Sequence, residues 1–180
     1  MLIEDTLLKE VISVGSNRSY TYCNSKRQPL KERRLVMFKK ILYPTDFSDV
    51  SKKAIDYIKQ LKEGGSETVI VLHVIDQRGM RAIERYASAS SVEIEQRIMD
   101  DAKQELKIIE DELKKSGFKV KTMIQRGVPL LEILKAEEEE DISVMVIGSH
   151  GKTNLEEIFL GSVSEKVARR CKSPVLIIKR

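Results

Sequence analysis

The chain predicts an open, doubly wound α/β fold with a five-stranded parallel sheet in the order 3-2-1-4-5. Two observations carry that prediction. Short apolar runs alternate along the chain with segments of helical period, and one run, TVIVLHVID from Thr68 to Asp76, is apolar on both faces. Such a run belongs inside a parallel sheet covered on both sides. Each parallel pair needs a crossover, and right-handed crossovers place helices on both faces.

Every element from Phe38 onward has a local reason. KKILYPTD is a strand ending at Pro44. Ser48 stands as N-cap of a helix that turns Ala54, Ile55, Ile58 and Leu61 inward and is stopped by Gly64 and Gly65. After the Thr68–Asp76 strand, residues 77 to 91 read as a polar loop with a helical turn. It is longer than a crossover requires, which makes it a lid or a variable insertion.

A long helix from Val92 to Lys115 follows, with Ile94, Ile98, Ala102, Leu106, Ile109 and Leu113 on one face, and Gly117 ends it. KVKTMIQRG alternates, as an exposed edge strand does. Pro129 opens a helix carrying Leu130, Ile133 and Leu134. Its far end, Glu137 to Glu140, reads as a solvated acidic surface, because four acids there oppose the helix dipole. ISVMVIGSHG is a fourth strand, SVSEKVARRC a last helix and PVLIIKR a fifth strand.

With 180 residues there is room for one domain and an appendage. Residues 1–36 are that appendage, and residues 37–180 the domain. In the appendage Ile3, Leu7, Leu8, Val11 and Ile12 share one face of a short helix, and a basic, turn-rich run follows. It reads as a poorly ordered extension or as an over-long start with Met37 the initiator. A docking or nucleic-acid role for Lys26 to Arg34 is the alternative.

Seven basic against four acidic residues in the appendage account for most of the formal charge of +4. The domain itself has no basic stripe with interleaved aromatics, so nucleic acid is not an expected partner. No apolar run is long enough to cross a bilayer, which removes a membrane role. Cys23 and Cys171 are too few and too far apart for a CxxC site or a disulfide framework, and MLIEDTLLKE lacks the apolar stretch of a secretory signal. The expected location is the cytoplasm.

In a sheet of this order the ligand crevice opens between strands one and four, at their carboxyl ends. The flanking segments are PTDFS, Pro44 to Ser48, and GSHG, Gly148 to Gly151. Gly-Lys-Thr at Gly151 to Thr153 is not a Walker A loop, which needs four residues between its glycines where this chain has two. A dinucleotide fingerprint fails as well, because PTDFS contains no glycine.

What remains is Gly148-x2-Gly151-x9-Gly161-Ser162. Glycines at 148 and 151 let backbone approach a sugar or phosphate, and Gly161-Ser162 opens a helix whose free N–H groups attract anions. The rival reading is a capping box, Ser162-x-x-Glu165, which satisfies the helix's own donors. That box requires neither Gly148 nor Gly151, which favours phosphate contact, although Glu165 beside a phosphate is an electrostatic cost. Of single residues, His73 reads as a packed, hydrogen-bonded strand residue, and His150 as either a phosphate contact or a solvated side chain. Asp46 is a ligand candidate that could equally cap the next turn, and Cys171 reads as buried and inert.

KKILYPTDFSDVSKKAI, LHVID, RGVPLLEIL and VMVIGSHGKTNLEEIFLGSVSEKVARRCKSPVLIIKR together resemble the universal stress protein family in its ATP-binding branch. The resemblance covers Met37 to Arg180, and the glycine motif is what marks the ATP-binding members. It implies the adenine-nucleotide α-hydrolase-like fold, with ATP in the crevice. Pro44, Thr45 and Asp46 would then meet the adenosine end, and Val74 would contact adenine through its backbone. Ile147, Gly148, His150 and Gly151 would line ribose and phosphates. Gly161, Ser162, Val163 and Ser164 would hold the phosphate tail, with Mg²⁺ or Mn²⁺ bridging its oxygens. Tyr43 departs from the family, where a smaller aliphatic precedes the proline, and would either crowd the pocket or cover it.

The resemblance also implies a homodimer through the last strand, PVLIIK, an apolar edge that pairing would cover. Hydrolysis needs a positioned water, a base and cationic support. Lys152 supplies a cation, but no base is evident, so the expectation is a nucleotide-binding regulatory protein with at most slow ATP hydrolysis. The alternative is a dimeric interaction module with an empty crevice. A nucleotidyl-transferring ATP pyrophosphatase would carry an SGGxDS-like loop where this chain has PTDFS.

Overall fold

Successive residues of a strand face opposite ways, and the protein builds a separate core under each face of one sheet. The computed structural model describes residues 38–80, 91–150 and 161–179. In chain order the elements are β1 (Lys40–Pro44), α1 (Asp49–Glu63), β2 (Thr68–Asp76), α2 (Ser91–Lys115), β3 (Lys119–Gly127), α3 (Pro129–Glu139), β4 (Val144–Gly148), α4 (Ser162–Arg170) and β5 (Val175–Ile178). All pairings are parallel, and the order is β3-β2-β1-β4-β5. The predicted topology is the observed one.

Ile41, Tyr43, Val69, Val71, Val144 and Val146 point to one face and pack under Ala54, Ile55 and Ile58 of α1 and Leu106, Ile109 and Leu113 of α2. Leu42, Ile70, Leu72, Met145 and Ile147 point to the other, where Ile133 and Ala136 of α3 and Val167 of α4 cover them. Each fully buried aliphatic side chain contributes about 1.5–3 kcal/mol. That double coverage is why β2 is apolar on both faces.

Tyr43 belongs to the α1 side. Its ring is fully buried, and its hydroxyl donates to the Ser51 carbonyl at 2.7 Å. Burial pushes this phenol above its ordinary pKa, so the proton that makes the bond stays in place. Tyr43 therefore neither crowds nor covers the crevice; strand alternation turns it beneath the first turn of α1.

Local signals set the helix ends. Ser48 caps α1, accepting from the Ser51 amide at 3.3 Å, and Gly64 closes it. Gly117, with φ of +83°, lets the chain leave α2. Pro129 stands at the start of α3. Residues 77–80 form a helical turn, and the rest of the expected 77–91 loop lies outside the described residues, up to the start of α2 at Ser91. The appendage of residues 1–36 lies outside them as well.

One expectation about α3 is corrected. The run Glu137 to Glu140 is not uniformly solvated, because Glu137 is buried at 7% exposure and accepts the main-chain N–H groups of Lys172 and Ser173, both at 2.7 Å. These amides sit in the turn between α4 and β5. A carboxylate with two amide partners tolerates burial that an unpaired one would not.

Candidate functional site at the strand switch

β1 and β4 are neighbours whose following loops part to opposite faces of the sheet, so a crevice opens beyond their carboxyl ends. One wall is the loop 45–48. Thr45 is buried; its amide donates to Leu72 O at 2.9 Å, and its hydroxyl accepts from Phe47 N at 3.1 Å and from Ser51 Oγ at 2.8 Å. The Asp46 carboxylate accepts from Ser48 N at 3.1 Å, closing a turn. Phe47 takes a positive φ of 63°, a conformation that costs a non-glycine residue about 1–2 kcal/mol. Its ring stacks on His73 with centroids 4.3 Å apart.

His73 Nδ1 lies 2.9 Å from the Thr45 carbonyl oxygen. A carbonyl can only accept, so Nδ1 carries the hydrogen. His73 is thus the packed, hydrogen-bonded residue its strand position suggests.

The opposite wall is the end of β4. Gly148 sits against the first turn of α1, where a Cβ would come within 3.2 Å of Ser51 N and 3.3 Å of Ser51 Cα. Its lack of a side chain serves helix packing. Ser149 N donates to Ile178 O at 2.7 Å, which ties the loop to β5. His150 Nδ1 contacts Ser149 Oγ at 2.8 Å, and its Nε2 is a buried ring nitrogen with no hydrogen-bond partner among the described residues. Ser48 Oγ reaches His150 O at 3.5 Å, joining the two walls.

The floor between them is the start of α4. Gly161 N donates to Ser149 O at 2.7 Å, and Ser164 Oγ also reaches that carbonyl at 2.7 Å. A Cβ at Gly161 would meet Ser149 O at 3.1 Å. The first turn of α4 therefore lies directly on the chain leaving β4. Its N-cap is Gly161, with no side-chain cap.

The capping box is not formed. Helix geometry begins at Ser162, one residue earlier than that motif requires, and Glu165 instead pairs with Arg169 at 3.1 Å. The amides of Ser162, Val163 and Ser164 have no hydrogen-bond acceptor among the described residues. Orphan N–H groups at a helix start suit an anion.

Strand alternation adds a further open group. Leu72 O faces β1, because it takes the Thr45 amide. Backbone direction alternates along a parallel strand, so the amide and carbonyl of Val74 face the same way, beyond the point where β1 has turned off. The loop after β1 takes up neither of them.

Of the candidate ligand residues, Pro44, Thr45, Asp46, Val74, Ile147, Gly148, His150, Gly161, Ser162, Val163 and Ser164 gather around this crevice, although they come from four stretches of chain. The hydroxyls of Thr45 and Ser164 and the side chain of Ile147 belong to the scaffold. Gly151 and Lys152 lie outside the described residues. Residue-pattern reasoning missed Ser51, whose hydroxyl joins Thr45 to α1, and the pairing of Phe47 with His73. Neither has a signal in sequence, because both depend on contacts between separate elements.

This architecture defines a class: an open α/β protein with, among the described residues, an uncapped helix start and unpaired backbone at the strand switch. The chain belongs to the universal stress protein family, whose model matches residues 37–179. Universal stress protein MJ0577 of Methanocaldococcus jannaschii is 41% identical over 157 residues, covering 81% of this chain and 97% of that protein. Its solved structure superposes with a TM-score of 0.73 at 44% identity, over 80% of this chain and 97% of that one. Universal stress protein YxiE of Bacillus subtilis is 34% identical over 152 residues, or 79% of this chain and all of that protein. A universal stress protein solved in complex with cAMP, 23% identical with a TM-score of 0.54 over 79% of this chain and 98% of that one, shares the fold. The fold is the adenine-nucleotide α-hydrolase-like one of this family. Among the described residues no helix is long and apolar enough to cross a membrane.

Proposed function

We propose that the protein is a nucleotide-binding member of its family that holds ATP in the β1/β4 crevice and turns it over slowly or not at all. The observation that carries this reading is the start of α4: a helix N-terminus without a side-chain cap, its first-turn amides open among the described residues, set on the floor of the crevice. Phosphate fits there by charge and by hydrogen bonding. The nucleoside then falls toward the loop 45–48 and the open backbone of Val74, where an adenine edge finds one donor and one acceptor. Family membership supports the same assignment, and a complex with cAMP exists for one protein of this fold.

No group of three or more His, Cys, Asp or Glu side chains converges among the described residues. A bound Mg²⁺ or Mn²⁺ would be held through phosphate oxygens and water. The reading of slow turnover comes from the residue pattern, in which no general base is evident. We further propose a homodimer through β5, acting in the cytoplasm as a regulatory protein rather than a fast enzyme.

The test pairs mass spectrometry of nucleotide released from the purified protein with ATP titration of the wild type and Ser162→Asp. A carboxylate at this exposed first-turn position helps the helix by about 0.3–1 kcal/mol and repels phosphate. The expected result is released adenine nucleotide, with an affinity loss of at least about tenfold in a variant that is no less stable. Wild-type protein that yields no nucleotide and gives no titration signal would instead make this an interaction module. Unchanged affinity in Ser162→Asp would remove α4 as the phosphate site.

A further inference from the structure

The loop 45–48 is held in a conformation it would not choose alone. A phenylalanine in the left-handed region persists only where its surroundings over-determine it, and at Phe47 two of those surroundings come from one side chain. His73 stacks on the Phe47 ring and donates from Nδ1 to the carbonyl of Thr45. Had the β1/β2 ladder run one step further, that same carbonyl would have been the acceptor for the Val74 amide, since Thr45 N already pairs with Leu72 O. The imidazole takes the carbonyl, the chain turns away, and the Val74 amide is left open at the crevice.

We infer that His73 is the positioning residue of the nucleoside half of this site. It acts by capturing the Thr45 carbonyl and bracing Phe47, with no contact to ligand required. The inference rests on the nucleotide reading above for its ligand, and on geometry alone for its effect on the loop. It separates the crevice into two parts. The phosphate floor at α4 is built from Gly161, Ser149 and Ser164 and does not depend on His73.

The test uses the full chain with two substitutions. His73→Phe keeps a flat ring against Phe47 and removes the donor; His73→Asn restores a donor at the position of Nδ1. ATP and inorganic tripolyphosphate are titrated into each. Losing one part-buried hydrogen bond to the loop should weaken ATP by about tenfold in His73→Phe, leave tripolyphosphate within about twofold, and return to within about threefold of wild type in His73→Asn. Equal losses for both ligands, or an unchanged ATP affinity, would overturn the assignment.

A readout without nucleotide keeps the two proposals apart. Amide exchange at Phe47 and Ser48, whose N–H groups bond Thr45 Oγ1 and Asp46 Oδ1, should quicken in His73→Phe while the amides of Val69 to Val71 hold. Should the wild type bind no nucleotide, the functional reading fails, and faster exchange still supports the bracing role. Unchanged exchange at Phe47 and Ser48 overturns it whatever binds.

Discussion

Gly148, expected to admit a sugar or phosphate, has a second demand on it from the fold. Its place in Gly-x2-Gly-x9-Gly-Ser marks it as a glycine that something approaches closely. The approaching group is the backbone of α1, through Ser51. Backbone cannot swing aside as a side-chain tip can, so Gly148→Ala forces α1 away from β4. We expect a loss of about 1–3 kcal/mol, seen as a lower Tm with unchanged sheet content, and an ATP affinity that falls because Ser48 and the loop before it move with the helix. Stability within about 0.5 kcal/mol of wild type would show that the helix gives way freely. Cys171, expected to be buried and inert, is half-buried rather than buried, and that partial burial, then the nearby Glu137 carboxylate, pushes its thiol up to about 11.

Among elements, the turn from α4 to β5 depends on a helix distant in sequence. Glu137 of α3 receives both amides of that turn, and hydrogen bonds to a charged acceptor are worth about 1.5–3 kcal/mol each. Glu137→Ala should therefore destabilise the protein by about 2–4 kcal/mol and quicken amide exchange at Lys172 and Ser173, whereas Glu137→Gln, with one acceptor oxygen kept, costs roughly half as much. Equal stability of the two variants would remove the carboxylate from the turn.

Sequence made the elements readable because apolar period and punctuation are local: Ser48, Gly64, Gly117 and Pro129 end or begin helices within a residue of where they should. It misread Glu137 because a solvated and a buried acid look alike in a run of four. It also left Ser162 and Glu165 ambiguous, since one residue of phase decides whether a capping box closes. The candidate site was legible where glycine spacing and topology suffice, at Gly148 and Gly161. It was illegible at Ser51, Phe47 and His73, whose roles arise only when β1, β2 and α1 meet.

For the whole molecule the two sheet edges differ in kind. β3 exposes Lys119, Lys121 and Arg126 along its length, charges that discourage a further strand. β5 is Val175–Ile178, apolar throughout. Ile178 O faces β4, so alternation turns the amide of Ile177 outward, where the proposed mate would add. Proline is tolerated where an edge N–H faces away from its own sheet. Ile177→Pro should therefore keep the fold and convert the proposed dimer into a monomer in sedimentation velocity; a variant that still sediments as a dimer would place the interface elsewhere.

The lysines of β3 have one more consequence. A sheet with two receptive edges can add copies at either end and grow into a fibre, whereas a sheet with one can be joined once. Along its hydrogen-bonding direction this protein has a valence of one, so whatever strand adds to β5 also ends the assembly.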